Sequence, residues 1–150
     1  MRVIRFVYFL LVFTFFSLSL FSQQLTKIPQ AAQDSFASKY PGAQNAKWES
    51  ELIYLTVNFE WEGDKIYAEY TSKGMWRLSR KNWSYEKLPA TVTDGFKKSK
   101  YADWPVSEVK IVSTPKDPEL YRLTIEKNDI DKKNLFYNSE GRLIRESITW

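Results

Sequence analysis

The side chains able to carry chemistry are restricted in kind. The sequence has no histidine and no cysteine, which removes Ser-His-Asp and Cys-His constellations, zinc sites built on those residues, and any disulfide. Serine followed three residues later by lysine occurs at Ser84 to Lys87 and at Ser107 to Lys110. That is the spacing of a Ser-Lys dyad, but neither companion motif of that enzyme class is present, and chance matches account for both. Carboxylates come next. Glu60, Glu62 and Glu69 could lie on neighbouring strands and act as general acid and base. No spacing singles out a pair, however, and acidic residues on the wet face of an antiparallel sheet are ordinarily just solvated. Asp129 and Asp131 hint at calcium, yet the glycine and terminal glutamate of an EF-hand loop are missing. None of the five glycines builds a phosphate loop. The expected chain therefore has no cofactor and no metal, and is not an enzyme.

The elements that must position these residues follow a pattern that occurs twice. Ile28, Pro29, Phe36, Lys39 and Tyr40 return as Leu88, Pro89, Phe96, Lys100 and Tyr101, with one extra residue before the second tyrosine. Each copy is followed by strand-like text ending in a polar turn with one glycine, Thr71 to Gly74 and Asn138 to Gly141. Two copies suggest a duplicated supersecondary unit and not a solenoid, which needs three or more.

In the first copy Pro29 suits the opening of a helix, and Ile28, Ala32, Phe36 and Tyr40 share one face of it until Pro41 and Gly42 stop it. A strand centred on Lys47, Trp48 and Glu49 follows. Ile53, Leu55, Val57, Phe59 and Trp61 then alternate with polar residues, as in a strand with one buried face. Gly63 and Asp64 are read as the hairpin turn, Lys65 to Thr71 as the return strand and Met75 to Arg80 as the fourth. The second copy repeats this order more weakly. Thr91, Thr93 and Gly95 lower the propensity of its helix, and strands are expected over 106–113, 120–127, 133–138 and 142–149. Tyr121, Leu123 and Ile125 take the buried phase; Arg122, Thr124 and Glu126 take the other. Asn82, Trp83 and Ser84 match a glycosylation sequon, a three-residue pattern that arises easily by chance.

One feature remains unassigned. Tyr54, Tyr67 and Trp76 fall in or near the phase opposite to the apolar stripe, interleaved with Glu60, Glu69 and Arg77. Exposed rings of this kind mark contact surfaces, or they stiffen a sheet by cross-strand pairing. With Arg122 and Glu126 in the second copy, these residues are the candidates for partner binding.

Arg2 and Arg5, then an apolar run from Phe6 to Phe16, then Ser17, Ser19 and Ser22, come in the order of a secretory signal peptide over residues 1–22. An uncleaved anchor is the rival reading, since Val3 to Phe21 is nearly long enough to span. Cleavage would leave units at 23–81 and 82–150, outside the cytosol and free of the membrane. The 22 basic side chains fall to 20 once Arg2 and Arg5 leave, against 18 acidic ones. That balance gives little reason to expect nucleic acid as a partner.

The pattern Ile28-Pro29, Phe36, Lys39 to Ala43, Lys47-Trp48-Glu49 and the Ser72-Lys73-Gly74 turn resembles the PepSY-like exported proteins of Bacteroidetes, related in fold to the β-lactamase inhibitor proteins. The resemblance covers Ile28 to Ser147. The second copy departs from it, with Ala102, Asp103 and Trp104 in place of Pro41, Gly42 and Ala43, and Val109 near the place of Trp48. It implies an α+β fold of two tandem helix-plus-four-stranded units, joined into one continuous curved sheet with both helices on one face. It also implies a non-catalytic periplasmic or secreted module that engages a macromolecule through the open sheet face. The expected partner is a protein of the envelope or cell exterior, with inhibition of a hydrolase or peptidase as a further implication. A glycan-binding envelope component and a small carboxylate-dependent hydrolase are the competing readings.

Overall fold

The structure, a computed structural model, describes residues 28–148; the leader, its cleavage point and Thr149 lie outside them. Pro29 precedes helix α1 (Gln30–Lys39), and Pro89 precedes α2 (Ala90–Lys97), with nearly the same backbone angles. Neither proline has an N–H to leave unpaired. Its carbonyl instead accepts the first turn's amides, from Ala32 and Gln33 in one case and from Val92 and Thr93 in the other.

Four strands follow each helix: β1 (Gln44–Ser50), β2 (Leu55–Trp61), β3 (Asp64–Tyr70) and β4 (Trp76–Trp83), then β5 (Val106–Ser113), β6 (Leu120–Glu126), β7 (Lys132–Tyr137) and β8 (Leu143–Ile148). All neighbours pair antiparallel in chain order, giving one eight-stranded open sheet with β1 and β8 at its edges. This is the expected α+β architecture. Three local expectations are corrected. The β1–β2 hairpin loop runs to Tyr54, so Ile53 is 73% exposed and not buried. The turn after Trp61 is Glu62 and Gly63, because Trp61 pairs with Asp64. Strand β4 continues to Trp83, so the connection to the second helix is only a short 3-10 turn, Tyr85–Lys87.

Residues directly opposite each other in an antiparallel pair share a face. Ile66 stands opposite Lys81, and Lys81 opposite Ile111, so the apolar sides of both halves face the same way. Each half packs its helix there. Ala32, Phe36 and Tyr40 lie on Leu55, Val57, Phe59, Ile66, Ala68 and Tyr70. Leu88, Val92, Phe96 and Tyr101 lie on Val109, Ile111, Leu123, Ile125, Leu135 and Tyr137. Burying such side chains contributes roughly 1.5–3 kcal/mol each.

The last turn of each half locks against its helix. A Cβ on Gly74 would lie 2.4 Å from the Ala31 carbonyl oxygen, and one on Gly141 only 2.1 Å from that of Thr91. Both glycines have φ near +80°, and both carbonyls belong to the second residue after the helix-opening proline. Gly95, which weakens α2 intrinsically, is required by contact: a Cβ there would meet the Gly141 carbonyl at 2.1 Å.

Candidate functional site

Both helices lie on one side of the sheet, and among the described residues no helix covers the other. In the first half its polar side chains form a continuous ladder. The Arg80 guanidinium lies over the Tyr67 ring, 3.9 Å from its centroid. Tyr67 donates its hydroxyl hydrogen to Glu69 Oε1 at 3.0 Å. The other Glu69 oxygen stands 3.6 Å from the Arg77 guanidinium, which in turn stacks 3.5 Å over the ring of Tyr54. Such cation–ring contacts fix the rings in place. Burial, then the hydrogen bond to Glu69, push the Tyr67 phenol up to about 12; the proton stays on the tyrosine and the ladder stays intact through neutral pH. Beyond Tyr54 the loop tip carries Leu52, fully exposed, and Ile53.

The second half fills the same face differently. Glu108 accepts hydrogen bonds from Lys110 at 2.6 Å and from Arg122. Glu126 pairs with Lys132 at 3.3 Å and accepts from Ser107 at 2.9 Å. Desolvation opposes ionisation of Glu108, but bonding and charge from Lys110 and Arg122 outweigh it and hold its carboxyl below the ordinary glutamate range. Bonds from Ser107 and Lys132 do the same for Glu126. Between the two arrays, Val112, Leu120 and Phe136 form a small buried apolar cluster on this face, with the Arg145 guanidinium 4.1 Å from the Phe136 ring centroid.

The structure therefore brings Tyr54, Tyr67, Glu69 and Arg77 together and sets Glu60 beside them, its carboxylate accepting from the Asn45 side chain at 3.1 Å. Arg122 and Glu126 belong to the separate second array. Trp76 does not belong to this face. Tyr70 pairs with Trp76 while Glu69 pairs with Leu78, so Arg77 is the extra residue of a β-bulge, and the bulge turns Trp76 to the helix side. There it packs on the first core, with the Lys39 ammonium 3.6 Å from its ring centroid. Arg80, a ladder member, is absent from the sequence-based set. It stands opposite Tyr67 on β4, and the alternation that sets Trp76 on this face in the sequence would have set Arg80, four residues on, there too.

Local geometry bears on the chemistry considered above. Glu60 stands opposite Lys65, and Glu69 opposite Thr56, four residues apart along β2, or about 13 Å. Paired glycosidase carboxylates lie within about 10 Å. Ser84 and Ser107 direct their hydroxyls at Glu86 and Glu126 and not at the lysines three residues on. Asp131 is tied to Asn128 within its own turn, and among the described residues no three His, Cys, Asp or Glu side chains gather as a metal would require.

An open antiparallel sheet with two helices on one face is an architecture that solved structures share. A BLIP-like protein from Bacteroides fragilis is similar with a TM-score of 0.71 and 27% identity, over 80% of this chain and 86% of that one. A DUF2874 family protein from Bacteroides ovatus gives 0.70 and 27% over 80% and 86%. A candidate periplasmic protein from Bacteroides eggerthii gives 0.66 over 80% and 88%, a likeness of fold alone at 22% identity. The chain is thus similar in structure to a BLIP-like protein and to DUF2874 family proteins. No protein-family model matches the chain, and no curated protein sequence does. Among the described residues no helix is long and apolar enough to cross a membrane.

Proposed function

We propose that the chain is an exported, non-catalytic binding module, periplasmic or secreted, which grips a protein partner through the open sheet face. Two tandem PepSY-like units, 23–81 and 82–150, form its scaffold, and a hydrolase or peptidase inhibited by the contact is the partner class that the fold likeness suggests. The observation that carries the reading is the ladder Tyr54–Arg77–Glu69–Tyr67–Arg80. It is a preorganised set of tyrosines and arginines, the residue types that dominate interface hot spots, and it ends at the exposed apolar tip of Leu52 and Ile53. Preorganisation lowers the ordering cost of binding. Guanidinium groups already cover one face of each ladder ring, which argues for a protein contact over sugar stacking.

Crosslinking the protein in its native envelope, followed by mass spectrometry, identifies the partner. Tyr54→Ala with Tyr67→Ala and Leu52→Ser should abolish that crosslink while far-UV circular dichroism stays unchanged. An undiminished crosslink from this folded variant would overturn the reading.

A further inference from the structure

Beside the ladder, the first half of the open face sinks into a polar hollow of about 450 Å³. Lys47, Asn58, Tyr67 and Arg80 cross it in one cross-strand row, and Lys65 opposite Glu60 stands in the next. Its charge is not balanced from within. Lys47, Lys65 and Arg80 have no carboxylate oxygen within 4.0 Å among the described residues, whereas Lys110 on the far wall is taken by Glu108. The one carboxylate of the lining, Glu60, is held by Asn45. Elsewhere on this face Lys110 is paired with Glu108 and Lys132 with Glu126, and Arg145, which has no ion pair among the described residues, lies against the Phe136 ring.

We infer that this hollow receives the carboxylates of an acidic stretch on the protein partner. The inference rests on the open-face reading and names the chemistry that the partner must present there. Lys47 on β1 and Arg80 on β4 are three strand spacings apart, about 14 Å. An extended peptide laid across the strands presents alternate side chains about 7 Å apart, so acidic residues at i, i+2 and i+4 match the spread. The amides of Asn45, Asn58 and Asn82 in the same lining supply neutral donors between the cations. Bringing carboxylates to cations that hold no ion pair gains attraction without first breaking an internal one.

The probe is a fluorescein-labelled peptide Glu-Ser-Glu-Ser-Glu, compared with Gln-Ser-Gln-Ser-Gln, titrated against the whole protein at low salt and read by fluorescence anisotropy. The glutamate peptide should bind at least tenfold tighter than the glutamine one, and added sodium chloride should weaken it. Lys47→Gln with Lys65→Gln, both exposed and without ion pairs, should reduce its affinity about tenfold. Lys132→Gln on the second half should change it less than twofold. Equal binding of both peptides, equal losses from both variants, or displacement by inorganic tripolyphosphate at the same affinity would overturn the acidic-partner assignment. The ladder variant's effect on the native crosslink is measured separately, so the open-face reading can stand when this assignment falls.

Discussion

The two halves share a frame and differ in what fills it. In both, a proline opens the helix and residues at four-residue spacing bury one face. A glycine turn then docks on the carbonyl two residues after that proline, and a tyrosine closes the third strand fully buried, Tyr70 in one half and Tyr137 in the other. The fillings diverge. The first core is a stack of rings in which Phe36 meets Tyr40, Trp48, Phe59 and Tyr70 at centroid distances of 5.8, 5.4, 4.8 and 6.4 Å. The second core is mostly aliphatic, with Val92, Val109, Ile111, Leu123, Ile125 and Leu135 around Phe96. On the open face the first half leaves Lys47, Lys65 and Arg80 without ion pairs among the described residues, while in the second Glu108 and Glu126 neutralise Lys110, Arg122 and Lys132, and Arg145 lies against the Phe136 ring. The helix-opening prolines, the docking glycines and the buried tyrosines are kept between the halves, while the rest of each core and the outward positions differ.

The largest effect should come from the shared frame. Gly74→Ala and Gly141→Ala each force a left-handed conformation on a residue with a Cβ and drive that Cβ into a helix carbonyl. Each should destabilise by on the order of 3–5 kcal/mol, read from the urea midpoint. If only one of the two does so, the halves do not close in the same way. A smaller difference should separate the cores. Phe36→Leu and Phe96→Leu remove the same side-chain volume, but only the first loses four ring contacts; Phe96 has no such contact among the described residues. Phe36→Leu should therefore be about 1–2 kcal/mol more costly than Phe96→Leu. Equal losses would mean that ring geometry adds nothing beyond burial.

Much of this frame is legible in the sequence because it depends on one period and a few punctuating residues. The face Ile28, Ala32, Phe36 and Tyr40, its echo at Leu88, Val92 and Phe96, and the strand phase of Tyr121, Leu123 and Ile125 all follow from spacing alone. The site is less legible because it depends on pairing across strands. The bulge at Arg77 turns Trp76 to the helix side, and no local pattern announces a bulge in a run such as Met75 to Arg80. Ile53 continues the alternation of β2 in sequence although the ladder has already ended at Leu55. Lys47 and Lys65 look like ordinary solvated lysines until register sets them around one hollow. Gly95 reads as a weak helix former, and its reason is a carbonyl 46 residues away in the chain at Gly141.

The contrast on the open face can be sharpened through pH. Glu108 has its folded-state pKa depressed by Lys110 and Arg122 against the opposing effect of desolvation. A depressed carboxylate contributes stability that is fully present above its unfolded value, about 4.3 for glutamate, and is lost as pH falls through the folded value. Its side chain is 41% exposed, so screening limits the contribution to about 1 kcal/mol or less. Glu108→Gln should lower the melting temperature slightly at pH 7, where Lys110 and Arg122 lose their shared carboxylate, and should flatten the decline between pH 5 and pH 3. Thermal melts of both proteins across that range measure it. Parallel declines would mean that the second array does not hold itself together by charge, and pairing with Glu108 would no longer explain why Lys110 and Arg122 differ from the unpaired Lys47 and Lys65.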